Sequence, residues 1–145
     1  MSITVKKRNG TTEQLNLEKM HVMVDRACEG LAGGSASQVE INSGIQFYDG
    51  ITTEEIQEIL VKSANDLISL DHPNYQFVAS RLLLFSIRKS LYGRISEIPD
   101  LLTHIHTCID KGVYDSKILN KYLPSEIQKI SGFVDHDRDY LFTYA

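Results

Sequence analysis

Cysteine is scarce in this sequence, and the scarcity excludes two kinds of chemistry. Cys28 and Cys108 are the only two, and neither has a partner at Cys-x-x-Cys spacing, so a structural zinc ribbon and a dithiol redox centre are both ruled out. Two buried thiols in a reducing compartment are the expectation. Long hydrophobic runs are also missing. No segment approaches the roughly 20 apolar residues needed to span a bilayer, and the opening Met1-Ser2-Ile3-Thr4-Val5-Lys6-Lys7-Arg8 has no apolar run behind its charges. A soluble, cytoplasmic chain with no membrane partner follows. Lys and Arg number 15 against 19 Asp and Glu, and the net charge of -4 argues against general binding of nucleic acid or polyphosphate. Any anion site must therefore be local. There is no Gly-x-x-x-x-Gly-Lys-Ser/Thr phosphate loop, no Gly-x-Ser-x-Gly nucleophile elbow and no Gly-x-Gly-x-x-Gly loop.

What remains is an ordinary globular composition, 42% hydrophobic and 23% charged, in a length of 145 residues that accommodates one domain or one and a half. Residues 3–8 and 11–15 flank Asn9-Gly10, a dipeptide suited to the positive backbone angles of a tight turn, so a β-hairpin is expected first. Asn16 can cap a helix from Leu17, whose stripe Leu17, Met20, Val24, Ala27, Cys28 and Leu31 runs to a stop at Gly33-Gly34. A weaker helix is expected from Ser37 to about Phe47. Thr52 with Glu55 forms a capping-box pattern opening a helix with Ile56, Ile59, Leu60, Ala64 and Leu67 on one face. Asp71-His72-Pro73 opens the next helix, with Tyr75, Val78, Ala79, Leu82 and Phe85 inward, and Gly93 marks a domain boundary. Two domains follow, 1–93 and 94–145. In the second, Leu101, Leu102, Ile105, Cys108 and Ile109 form a helix ending at Lys111-Gly112, and a short helix spans Ser116 to Tyr122. The last, from Pro124, carries Ile127, Ile130, Phe133, Val134 and Leu141 on to the end without a cap, the pattern of a truncated segment.

Candidate chemistry is sparse. Lys6, Lys7 and Arg8 lie on a strand, where alternation sends Lys6 and Arg8 one way and Lys7 the other. With the helix end at Leu17 they offer ammonium groups, free amides and a positive dipole, the needs of a triphosphate; solvated edge-strand cations that discourage aggregation are the alternative. His104 and Cys108 share a helical face, but His106 points elsewhere and two ligands do not complete a zinc site. Asp135-His136-Asp137-Arg138-Asp139 lacks the glycine of a calcium loop, where Tyr140 stands, and reads as a polar helical segment making ion pairs. No catalytic set and no metal site emerges.

The order of segments goes further. Val5-Lys6-Lys7-Arg8-Asn9-Gly10-Thr11-Thr12-Glu13 followed by Asn16-Leu17-Glu18-Lys19-Met20 resembles the ATP-cone, and Ile45-Gln46-Phe47-Tyr48-Asp49-Gly50-Ile51-Thr52-Thr53 is similar to its later segment. So is Asp71-His72-Pro73-Asn74-Tyr75-Gln76-Phe77-Val78-Ala79-Ser80-Arg81-Leu82. Gly112-Val113-Tyr114-Asp115, Asp135 to Tyr140 and Phe142-Thr143-Tyr144-Ala145 are similar to the helical region that follows the cone in class I ribonucleotide reductase large subunits. Cone-bearing repressors place a four-cysteine ribbon ahead of the cone, whereas here the hairpin comes first.

The resemblance implies a mainly α fold, a bundle of about four helices lidded by the hairpin and followed by a few further helices. It implies an allosteric domain binding ATP as activator or dATP as inhibitor, magnesium with it, no covalent cofactor, and regulation of deoxyribonucleotide synthesis for DNA replication. Partners would be adenine nucleotides, the rest of the large subunit and the small subunit, in a homo-oligomeric enzyme; nucleic acid is not among them. Lys7, Arg8, Lys89 and Thr53 would face the phosphates. Glu13 and Asn16 would contact adenine between Val5, Leu17, Met20 and Phe85, with Lys19 nearby. Where many regulated members carry a histidine, this chain has Gln57, which cannot become cationic. The parent enzyme reduces ribonucleoside diphosphates by radical chemistry on redox cysteines that this chain lacks. The reading in a different class is a helical protein-interaction module that binds no nucleotide.

Overall fold

The computed structural model describes residues 2–144. Met1 and Ala145, the outer ends of the two expected domains, lie outside the described residues. The chain divides into two compact units, Met1–Ile87 with Asp139–Ala145, and Arg88–Arg138.

In the first unit, β1 (Thr4–Lys6) and β2 (Thr12–Gln14) form the antiparallel hairpin with Val5 opposite Glu13. Its loop is three residues, not the expected two. Lys7 N–H donates to Thr11 O at 2.8 Å, Gly10 alone takes the left-handed φ of 82°, and Asn9 Oδ1 instead accepts from the Thr11 N–H and hydroxyl. This is a turn followed by a glycine bulge, which keeps the strand twist with one positive φ instead of two. A third strand, β3 (Ile51–Thr52), pairs in parallel with β1 and gives the order β2-β1-β3.

Four helices accompany this sheet. α1 (Leu17–Cys28) begins at Asn16, whose Oδ1 accepts the Lys19 N–H at 2.9 Å. It stops at Cys28 and not at Gly33-Gly34, because Gly30 turns the chain with φ 73° and Arg81 from a later helix takes the carbonyls of Ala27 and Glu29. Leu17, at the open first turn, is 62% exposed and does not join the buried stripe of Met20, Val24, Ala27 and Cys28. α2 (Ala36–Gly44), capped by Ser35, packs on both α1 and α3 (Thr53–Asp66). At the start of α3 the Thr52 hydroxyl accepts the Glu55 N–H and the Glu55 carboxylate accepts the Thr52 N–H, the expected reciprocal box. α4 (Tyr75–Tyr92) starts two residues after Pro73, which stays in the preceding turn, and Gly93 N–H closes it on Lys89 O. Val24, Val39, Leu60, Val78, Leu82 and Phe85 are fully buried, each side chain worth roughly 1.5–3 kcal/mol of apolar transfer.

The second unit opens with the last turns of α4. It continues through α5 (Leu101–Asp110), capped by Asp100, α6 (Lys117–Lys121) and α7 (Pro124–Ser131), with α5 packed on α7. α7 does not run to the chain end as its apolar spacing suggests. Gly132 ends it, and a 3₁₀ helix, His136–Leu141, takes the place of the polar α-helical segment expected there. Phe133 and Leu141, which the spacing would bury, are largely exposed. Among the described residues no helix is long and apolar enough to cross a membrane.

Between Arg88 and Arg138 only Ile105 and Ile127 are buried apolar residues, whereas the first unit buries apolar side chains from all of its strands but β2 and from all four helices. Local stability follows buried contact. Hydrogen exchange should therefore find the amides of α5 and α7 less protected than those of α1 and α3, and equal or inverted protection would contradict this.

Candidate functional site

The pairing of β1 with β3 decides where the basic residues go. Val5 and Ile51, both buried, stand side by side in the ladder, and Lys6 stands beside Thr52. Asp49 clamps the same edge: its Oδ1 accepts the Thr4 N–H at 2.8 Å, and Gly50 N–H donates to Thr4 O. Since Thr52 caps α3, the hairpin is held beside the positive end of that helix.

The hairpin cations are paired there. Lys7 Nζ lies 2.6 Å from Glu13 Oε2 on the opposite strand, and Arg8 Nε meets Glu54 Oε1 in the first turn of α3 at 2.5 Å. Thr53 opens α3, with its hydroxyl donating to Glu54 at 3.1 Å. Arg8, Glu54 and Thr53 thus cluster at the start of α3, while Lys7 pairs with Glu13 across the hairpin. Both cations are partly exposed, so their ion pairs are solvent-screened and add little stability. An incoming anion would exchange with carboxylates instead of meeting bare charge.

The other named residues divide by exposure. Asn16 spends its side-chain oxygen on the α1 cap, Leu17 and Lys19 are exposed, and Met20 and Val5 are buried. Phe85 is fully buried with its ring edge-on to Tyr140 at 6.4 Å. Lys89 is exposed on the part of α4 that belongs to the second unit. Gln57, one turn into α3, is 9% exposed; its Nε2 donates to Met23 Sδ at 3.2 Å while its Oε1 has no partner. Such a buried, unsatisfied oxygen costs about 1–3 kcal/mol. Sequence reasoning missed Asp49, Tyr48 and Glu54. Tyr48 donates to Glu55 at 2.8 Å and so joins the α3 start as well.

Neither cysteine belongs to this cluster. Burial, with Asp25 second, pushes the Cys28 thiol up to about 11, so it stays protonated and inert. Cys108 lies one turn from His104 on α5, with Sγ 3.5 Å from Nε2.

Residues 3–90 match the model of the ATP cone domain. The chain belongs to the ATP-cone family. Over 144 residues it is 47% identical to ribonucleoside-diphosphate reductase 1 subunit alpha of Escherichia coli (strain K12), covering 99% of this chain and 19% of that protein. The alpha subunit of Haemophilus influenzae (strain ATCC 51907 / DSM 11121 / KW20 / Rd) is 46% identical with the same coverage. That of Enterobacteria phage T4 is 37% identical over 145 residues, again 99% of this chain and 19% of the relative. The chain thus spans about a fifth of the length of the curated relatives it matches.

Three carboxyls at this junction titrate low. Hydrogen bonds from Thr4 hold Asp49 below its ordinary 3.8, and the Thr52 backbone, the Thr52 hydroxyl and Tyr48 hold Glu55 below 4.5. Burial, the largest single influence on Glu54, pushes it up, but its own backbone, Thr53 and Arg8 together bring it below 4.5. A carboxyl depressed in the folded state contributes stability in full above its ordinary value and loses it as pH falls through the folded one. Urea stability should therefore drop between about pH 5 and pH 3, and less steeply in an Asp49→Asn, Glu55→Gln double variant. Equal slopes for the two proteins would refute the assignment.

Proposed function

We propose that this chain is the regulatory nucleotide-binding region of a ribonucleoside-diphosphate reductase large subunit, with ATP as activator and dATP as inhibitor. The observation that carries this reading is the ion pair that brings Arg8 to the start of α3 beside Thr53, with Lys7 next to Arg8 on the same hairpin, inside the stretch matched by the ATP cone domain. A triphosphate needs charge-assisted donors and a positive helix end, and both are present. Phosphate oxygens would displace Glu54 from Arg8 and Glu13 from Lys7, with magnesium carrying part of the charge. Glu13, released, and Asn16 would address the adenine edge, with Val5, Leu17, Met20 and Phe85 as its walls, Lys19 close by and Lys89 reaching the phosphates. Phe85 must then turn or be uncovered, since it is fully buried.

The domain boundary at Gly93 belongs to this reading: residues 1–93 are the nucleotide-binding domain and 94–145 lead into the reductase's helical region. Catalysis resides in the remainder of the large subunit, which works with a small subunit in an oligomer in the cytoplasm. This stretch alone reduces no nucleotide, because Cys28 is buried and protonated and supplies no redox partner for Cys108.

Calorimetric titration with ATP tests the site. Lys7→Ala and Lys89→Ala should each weaken binding by about 1.5–3 kcal/mol, the worth of a hydrogen bond to a charged group. Unchanged affinity in both would refute the placement.

Gln57 bears on inhibition. Its neutral amide offers a phosphate one donor and no charge, so the coupling between dATP and assembly is weaker than imidazolium would provide. In the full enzyme a Gln57→His variant should be inhibited at lower dATP concentration than the parent. Identical inhibition curves would contradict this role.

A further inference from the structure

Away from the hairpin, the carboxyl end of α1 and the middle of α4 enclose an open concavity of about 270 Å³ lined by Arg26, Glu29, Arg81 and Tyr140. The Arg81 guanidinium is fixed there from two directions. One nitrogen, Nη1, donates to Ala27 O at 3.2 Å and Glu29 O at 2.8 Å, and the group lies over the Tyr140 ring, 5.2 Å from its centroid. Its Nε is buried and has no acceptor. Capping α1 accounts for Nη1 and leaves that donor unexplained. A buried donor attached to a charged group is costly to leave unsatisfied, so its retention points to an acceptor that arrives from outside.

We propose that this concavity is an oxyanion site for a phosphate-type ligand, distinct from the hairpin cluster and independent of the nucleotide reading above. The Nε edge of a guanidinium presents parallel N–H groups that match two oxygens of a phosphoryl group. Because Arg81 is already held by the α1 carbonyls and the Tyr140 ring, little freedom is lost when it binds. Arg26, in the last turn of α1, supplies a second and more mobile cation from the exposed rim. Glu29 opposes them. Two cations against one carboxylate leave one net positive charge in the lining, which favours a compact dianion such as hydrogen phosphate or pyrophosphate over chloride. Glu29 and the carbonyl end of α1 keep the affinity moderate, as suits a site that exchanges its ligand.

The Arg81 Nε–H proton reports on the site directly. In the 145-residue chain, NMR titration with inorganic phosphate or pyrophosphate at constant ionic strength should shift it saturably, and chloride should not. Arg26→Gln, a rim substitution that leaves the α1 cap intact, should weaken pyrophosphate binding about tenfold, and Glu29→Gln should tighten it. Lys7→Ala, at the hairpin, should leave the Arg81 response in place, which separates this site from the other. A response that chloride reproduces, or a pyrophosphate affinity indifferent to both Arg26→Gln and Glu29→Gln, would overturn the proposal.

Discussion

The two-residue parallel pairing of β1 with β3 is the constraint on which the candidate site depends. Without it the hairpin would be a pair of three-residue strands, too small to be stable alone in water. With it, Val5 and Ile51 close a buried seam, Asp49 ties Thr4 in place, and the residue that ends the third strand is also the residue that caps α3. One residue, Thr52, therefore sets both the sheet register and the helix start. Arg8 reaches the helix end because the sheet carries the hairpin there.

The cluster is neutralised from within. Glu13 and Glu54 occupy the two cations, and Glu55 occupies the cap. Such exposed pairs have small net energies, so they hold side chains near their working positions without opposing exchange strongly. On the proposed reading, binding a polyphosphate would be a swap of oxygen acceptors, with the cost spread over released carboxylates that regain water. If the proposed walls are right, buried Phe85 and half-satisfied Gln57 are where the first unit would have to adjust.

Helix-capping signals in the sequence were faithful, and non-local pairings were not visible. Asn16 as a cap, Thr52 with Glu55 as a box and Gly93 after α4 could all be read, since each depends on residues a few positions apart. The third strand could not. Two residues show no alternation, and their partner lies some 45 positions upstream, a separation the Thr4–Asp49 hydrogen bond shares. The same holds for Arg81, whose capping of α1 spans more than 50 positions and ends that helix earlier than Gly33-Gly34 would. Apolar spacing misled in the other direction beyond Gly132, where Phe133 and Leu141 keep a helical period but the chain turns into a 3₁₀ segment. Of the residues named from the sequence, Arg8 and Thr53 meet at Glu54, and Lys7 meets Glu13. Glu54 escaped notice because a carboxylate in a first helical turn already has a sufficient local reason to be there.

The central claim is that the strand-positioned start of α3 and the hairpin loop receive a triphosphate together. Following backbone amide shifts of the chain during ATP titration tests it most directly. The account predicts that Lys7, Arg8, Thr53 and Glu54 respond with one common saturation curve, as a single ligand displacing both ion pairs requires. Amides of these four residues that stay unmoved while others saturate, or hairpin and α3 responses with different affinities, would contradict it.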